Sequence, residues 1–322
     1  MILSSQTIVL ERKVRISYKI IMIVLFGSSG YVGSFYKKML QSKGLDFIAP
    51  THKEIDLTDE KKLTEFLDKI EADFIINAVG YTGKPNVDAC EENKVDCLLG
   101  NVIIPGILAK VCTKKGIIFG QVSSGCLYQG DKGIGEDGQR IGFQEEDPPN
   151  FSFRASPCSF YSGCKALAEE LLIGASCYIW RLRMPFHWQD HPKNYLSKLL
   201  FYPRLLDARN SLSEIEEFVR ASFECWEKRL PFGIYHITNT GSITTREIIE
   251  KILVSPLGKK LRAKGKQFLF FENEKEFLKH VKAPRSNCVL DNSKLLSCGI
   301  QIRNIEEALE EDLLKWQESS CQ

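Results

Sequence analysis

Ile20-Ile21-Met22-Ile23-Val24-Leu25-Phe26-Gly27-Ser28-Ser29-Gly30-Tyr31-Val32-Gly33 is the stretch that decides the fold. Its apolar run reads as a strand buried on both faces, and the glycines after it read as a tight turn opening a helix. The spacing G-x-x-G-x-x-G lets backbone amides and a helix N-terminus approach a pyrophosphate closely. A glycine triplet alone is a weak signal. Set between a first strand and a first helix, it favours cofactor binding over a plain turn.

Outward from this turn the alternation continues. A helix over 31–42 leads to a strand at 46–49, and the acidic first turn at Asp59-Glu60 starts a helix reaching about 70. Strands follow at 74–78 and 117–122, separated by helical stretches up to about Lys115. A helix over 159–172 and a strand over 177–182 complete the series. This pattern predicts an α/β fold: a Rossmann-type doubly wound parallel sheet with ligands at the carboxyl ends of its strands. Beyond about Met184 the rhythm changes to helices near 195–200, 213–227, 245–253 and 305–316, with a strand at 233–237. A smaller C-terminal substrate lobe is expected to close over the strand ends. The expected division is an extension over 1–20, a Rossmann domain over 21–185 and the smaller lobe over 186–322. Strand 233–237 is a candidate to return to the sheet.

Bulk composition narrows the partners. Lysine and arginine (43) nearly balance aspartate and glutamate (41), so a net charge of +2 gives no case for nucleic acid or an anionic membrane. Lys259, Lys260, Arg262, Lys264 and Lys266 form a short basic run without an aromatic platform, read as an exposed loop. The 11 cysteines are odd in number and show no paired-ligand spacing. They read as reduced thiols of a cytoplasmic protein, with no metal site. Glu11, Arg12, Lys13 and Arg15 interrupt Ile8-Val9-Leu10, so residues 1–20 do not read as a signal peptide, and no apolar run reaches bilayer length. An extra edge strand is the other reading of 1–20.

The chemistry concentrates downstream. In Gln121-Val122-Ser123-Ser124-Gly125-Cys126-Leu127-Tyr128, the strand period puts Ser124 and Cys126 on one side. Tyr161 and Lys165 lie four apart, one helical turn on one face. A lysine beside a phenol is expected to lower the phenol's pKa, making it a proton donor and acceptor near neutrality. Ser124 would polarise a carbonyl beside it. After the second strand, Lys53 stands where an acid would hold a ribose 2'-hydroxyl, which favours NADP (NADPH), with NAD as the alternative.

These residues resemble the extended short-chain dehydrogenases/reductases. The closer likeness is to the dTDP-4-dehydrorhamnose reductase branch and to the bifunctional nucleotide-4-keto-6-deoxyglucose 3,5-epimerase/4-reductases of L-rhamnose synthesis. Thr82-Gly83-Lys84-Pro85-Asn86-Val87-Asp88, Ser124-Gly125-Cys126, Ser159-Phe160-Tyr161 and Ala283-Pro284-Arg285-Ser286-Asn287 carry it. The resemblance implies a reductase triad of Ser124, Tyr161 and Lys165 and an epimerase acid/base pair of Cys126 and Lys198. Beside the contacts read at Gly27 to Gly33 and Lys53, it implies cofactor contacts at Asp56 and Leu57, at Ala78, Val79 and Gly80, and at Pro185. Thr82, Asn86, Asn194, Arg285 and Asn287 would handle the sugar nucleotide. For Cys126 the other reading is a packed core thiol, for Lys198 a solvated helix face, and for Arg285 a surface ion pair. Segment 151–158 is longer than the bifunctional pattern, Pro105 looks more like the monofunctional reductases, and Gly163-Cys164 is unusual between Tyr161 and Lys165. Reduction without epimerisation, or a non-catalytic NADP-binding subunit like the regulatory subunit of methionine adenosyltransferase, are the alternatives. A homodimer through paired helices is the candidate assembly.

Overall fold

Ile23 and Leu25 turn to one face of the first strand, Val24 and Phe26 to the other, and all four are buried. A strand covered on both faces belongs inside a sheet flanked by two helical layers. The computed structural model describes residues 21–155 and 157–316 and has that architecture. The expected extension over 1–20 lies outside the described residues.

In chain order, β1 (Ile23–Phe26), α1 (Tyr31–Ser42), β2 (Phe47–Ile48), α2 (Glu60–Asp68) and β3 (Phe74–Asn77) alternate. A short α3 (Ala89–Glu92) precedes α4 (Lys94–Leu98), a π-helical turn (Leu99–Ile103) and α5 (Ile104–Lys115), which form one continuous run. Then come β4 (Ile118–Ser124), α6 (Phe160–Leu171), β5 (Cys177–Leu182), α7 (Tyr195–Phe201), β6 (Arg209–Asn210), α8 (Ile215–Glu227) and β7 (Gly233–His236). The remainder is β8 (Ile243–Thr244), α9 (Thr245–Val254), α10 (Pro256–Ala263), α11 (Glu274–Phe277), α12 (Ser293–Ser297) and α13 (Ile305–Lys315).

The main sheet is parallel with order β2-β1-β3-β4-β5-β7. Strand order reverses between β1 and β3, which opens a crevice at their carboxyl ends. Two glycines shape that crevice. Gly27 has φ +80, and a Cβ there would meet Ala78 C and Val79 N at 2.7 Å. At Gly33 a Cβ would lie 2.0 Å from Gly27 O, so α1 can approach β1 only through hydrogen. Although they lie beyond Pro185, β7 pairs with β5 and α8 packs on the sheet. A separate core around Phe186, Leu196, Leu212, Ile248, Ile252 and Leu309 builds the smaller lobe.

Buried charge fixes α6 to the sheet. Tyr161, Lys165 and Glu169 recur every four residues on one helical face. The Glu169 carboxylate accepts from Arg181 Nε at 3.1 Å and Nη2 at 2.7 Å, and from Ser123 Oγ at 2.5 Å. Arg181, 2% exposed, also donates to Tyr128 Oη at 2.8 Å and to His236 Nε2 at 2.9 Å. Burial and the Arg181 charge pull His236 down to about 3, so its ring is neutral, with Nδ1 donating to Asp291 O.

One sequence expectation needs correction. The helical run Lys94–Lys115, 22 residues long, contains an 18-residue window of mean hydropathy 1.7 and so meets the length and composition of a membrane span. Its charged residues gather at the two ends, and Val102, Leu108, Val111 and Cys112 are buried in the core.

Asp312 and Glu214 are buried acids near one another, pushed up to about 8 and about 7, chiefly by burial. The folded chain therefore keeps protons that the unfolded chain has lost above the ordinary carboxylate range. Stability falls as pH rises from about 4 through about 8. Asp312→Asn should raise the thermal midpoint at pH 8 by several degrees and change it little at pH 4, in melting curves taken across that range. A uniform shift at every pH would refute the assignment.

Candidate active site

A cavity of about 500 Å³ opens where the smaller lobe meets the strand ends. Ser124 ends β4, and its Oγ accepts from Cys126 N at 3.3 Å, turning the chain so that both side chains enter the cavity. Ser159 caps α6 by accepting from Ser162 N at 3.1 Å, which sets Tyr161 in the first helical turn. Tyr161 and Ser124 line the cavity together, near enough for Ser124 to act on the protonation of the phenol. Lys165 donates to Val122 O at 3.3 Å, with Nζ 6.0 Å from the Tyr161 ring centroid. Lys198, half-buried on α7, enters the same cavity from the smaller lobe.

Burial dominates the protonation states. It pushes the Tyr161 phenol well above its ordinary value, with Cys126 adding and the Ser124 hydrogen bond opposing. The expected lowering of the phenol by Lys165 is not what the structure gives, because desolvation outweighs a cation that is itself bonded to Val122 O. Burial also pushes the Cys126 thiol up, against hydrogen bonds from Ser124 and Ser162. Lys198 is pulled down to about 8, first by burial and then by the charges of Lys193 and Arg285.

The lining brings together most of the residues named from the sequence. Gly30, Tyr31, Val32, Ala78, Val79, Gly80 and Pro185 lie along it, as do Thr82, Asn86, Arg285 and Asn287. Gly27, Ser28, Ser29 and Gly33 form the turn beneath, while Lys53, Asp56 and Leu57 lie beyond β2, outside the lining. Lys53 is exposed, and Asp56 Oδ1 accepts from Thr58 N at 2.9 Å. Arg285 pairs with Asp88 Oδ1 at 2.8 Å. Asn194 is the one sugar-nucleotide candidate that does not reach the cavity. It caps α7, accepting from Leu196 N at 3.0 Å and donating to His187 O and Gln189 O at 2.7 Å. An asparagine just before an apolar helix is an N-cap signal, so that role was readable in the sequence.

Electrostatics supplies what sequence reasoning missed. Among the described residues, the charged side chains lining the cavity are Lys165, Arg183, Lys193, Lys198, Arg204 and Arg285, with no aspartate or glutamate. Arg204 and Arg285 are paired with Glu276 and Asp88 just outside the lining. Lys193 donates only to neutral oxygens, Thr82 Oγ1 at 2.7 Å and Gly83 O at 2.9 Å. The cleft is built for an anion. Elsewhere, His187, Glu214 and Glu216 bring ligand-type atoms within 4.8 Å of one another, although none lines the cavity. Glu214 spends its carboxylate capping α8, and His187 faces Glu216 at 3.3 Å.

Comparison with known proteins agrees with this architecture. The model of the RmlD substrate-binding domain family matches residues 21–317. The chain belongs to that family of nucleotide-sugar reductases. It is 32% identical over 291 residues to the bifunctional dTDP-4-dehydrorhamnose 3,5-epimerase/dTDP-4-dehydrorhamnose reductase of Arabidopsis thaliana, covering 89% of this chain and 90% of the relative. Among solved structures, the L780 UDP-rhamnose synthase of Acanthamoeba polyphaga mimivirus superposes with a TM-score of 0.81 at 24% identity, covering 92% of this chain and 100% of that one. The dTDP-4-dehydrorhamnose reductase of Bacillus anthracis, solved with NADP, gives 0.73 at 19% identity, over 92% and 100% of the two chains. Both structures share the fold.

The unusual Gly163 has a local cause. Phe153, on the long segment before α6, lays its ring where a Cβ at 163 would be, 2.2 Å from Cε1 and 2.3 Å from Cδ1, and meets Phe160 edge-on. Gly163→Ala should destabilise the protein by about 1–2 kcal/mol. In a double-mutant cycle with Phe153→Ala, that cost should vanish in denaturant melts. Strict additivity would show that the ring does not dictate the glycine.

Proposed function

We propose that the protein converts a UDP- or dTDP-4-keto-6-deoxy-D-glucose into the L-rhamnose nucleotide by 3,5-epimerisation and NADPH-dependent 4-reduction. The observation that carries this reading is the convergence of Ser124, Cys126, Tyr161, Lys165 and Lys198 on one cation-lined cavity. The named activity of the Arabidopsis relative and the NADP complex of the Bacillus reductase support it.

The carbonyl at C4 would accept hydrogen bonds from Ser124 and Tyr161, which acidifies the hydrogens on C3 and C5. Lys198, with its acidity near neutrality, can supply a neutral amine to remove such a proton. Cys126 stays a thiol at neutral pH and can return a proton from another side of the ring. NADPH, held along Gly30 to Val32 and Ala78 to Gly80, supplies hydride to C4 when bound. Tyr161 then gives its proton to O4, and the nearby Lys165 ammonium stabilises the phenolate. The same two donors thus serve enolate and alkoxide. Lys193, Lys198 and Arg183 would offset the negative charge of the nucleotide diphosphate.

Deuterium exchange isolates the epimerase half. Incubation of either 4-keto sugar nucleotide in deuterated water without NADPH should label C3 and C5 by NMR. The rate should climb with pH to an inflection near 8 as Lys198 loses its proton. Cys126→Ala and Lys198→Met should each slow exchange by about 10²-fold or more. Reduction of the 4-keto sugar nucleotide with no exchange at either carbon would leave a reductase alone. NADPH binding with no turnover of either nucleotide would leave a binding subunit.

A further inference from the structure

Three thiols meet behind the helix that carries Tyr161 and Lys165. Cys90 on α3, Cys97 on α4 and Cys164 on α6 are fully buried in one cluster, against which Tyr161 packs. All three are free, and none lines the cavity. Cys97 is the centre. Its sulfur accepts from Asn101 Nδ2 at 3.4 Å, and its side chain packs in the same buried cluster as those of Cys164 and Cys90. Asn101 sits in the π-helical turn and is itself a wall residue of the cavity. One side chain therefore separates the Cys97 sulfur from the cleft.

Most buried thiols are inert because burial disfavours the thiolate. Here the donors around Cys97, with the Lys165 charge nearby, pull it down, while their contacts with it and burial push Cys164 and Cys90 up. A nucleophilic sulfur thus has protonated partners beside it, the arrangement that reversible thiol oxidation uses.

We propose that Cys97 is an oxidation site for hydroperoxides, with Cys164 as its resolving thiol. The Cys97 sulfur attacks one peroxide oxygen and the O–O bond breaks. The departing hydroxide takes up the proton Cys97 had released, leaving a sulfenic acid and water. Cys164 then attacks that sulfur, the S–O bond breaks, and the hydroxyl departs with the Cys164 proton as a second water. Two thiols have lost two electrons, and one hydrogen peroxide has been reduced to two waters. A dithiol reverses the change. The new bond draws the sulfurs to about 2.05 Å, closer than any thiol–thiol hydrogen bond. That pull acts on α6 between Tyr161 and Lys165, where a shift of about 1 Å costs about 10²-fold in rate. The oxidation chemistry is independent of the proposed function, and only its effect on turnover rests on that reading.

The test treats the full-length protein with hydrogen peroxide, maps its cysteines by peptide mass spectrometry and follows NADPH oxidation with the 4-keto sugar nucleotide. We expect a linked Cys97–Cys164 peptide lacking two hydrogens, a loss of turnover of tenfold or more, and recovery with dithiothreitol. Cys164→Ser should keep the untreated rate and lose the dithiothreitol-reversible part of the inhibition, whereas Cys90→Ser should remain sensitive. NADPH should slow the oxidation by covering the wall at Gly80 and Asn101. No linkage between Cys97 and Cys164, or linkage with an unchanged rate, would overturn the proposal. Should untreated protein reduce neither nucleotide, the proposed function fails and the peptide map alone decides on the oxidation site.

Discussion

The ion pair between Glu169 and Arg181 holds the rest in place. It is fully enclosed, with Ser123, Tyr128 and His236 satisfying its remaining polar atoms. Removing one partner of such a pair leaves an uncompensated buried charge, at a cost of about 3–5 kcal/mol. The pair joins α6 to β5, and through Ser123 to β4. Lys165 and Tyr161 stand one and two turns before Glu169 on the same face, so this clamp sets where the phenol stands relative to Ser124. A site that needs its donors aligned to within a fraction of an ångström is anchored by charge rather than by apolar packing alone.

Around that anchor the cleft is electrostatically one-sided. A protein with a net charge of +2 has gathered six cationic side chains, and no acid among the described residues, around one cavity. Burial then divides the labour among the proton-carrying groups. It raises the thiol and the phenol, so both keep their protons, and it lowers the Lys198 ammonium, so that group sheds one. In the proposed reaction the acid and base roles follow from desolvation acting in opposite directions on neutral and cationic acids.

Much of this was legible in the sequence because period and punctuation carry it. The apolar run at 23–26, the glycine turn and the strand–helix alternation each have one physical reading, whereas Ser124 and Cys126 share the cavity through a turn after β4 rather than through the expected strand period. Asn194 and Tyr161 mark the limit. An asparagine can cap a helix or touch a ligand with the same atoms, and the Leu196 N–H claimed this one. A lysine four residues away lowers a phenol's pKa only where burial does not outweigh it, and burial is a three-dimensional quantity. Gly163 was noticed as unusual, but its partner Phe153 lies ten residues upstream in a loop with no periodic signal.

The central claim is that one carbonyl-activating pair, Ser124 and Tyr161, serves both proton exchange and hydride acceptance. Parallel measurement of deuterium exchange at C3 and C5 and of NADPH oxidation in Ser124→Ala, with folding checked by melting, tests it most directly. The account predicts that both rates fall together, each by about 10²-fold. Exchange at the wild-type rate alongside lost reduction would contradict it.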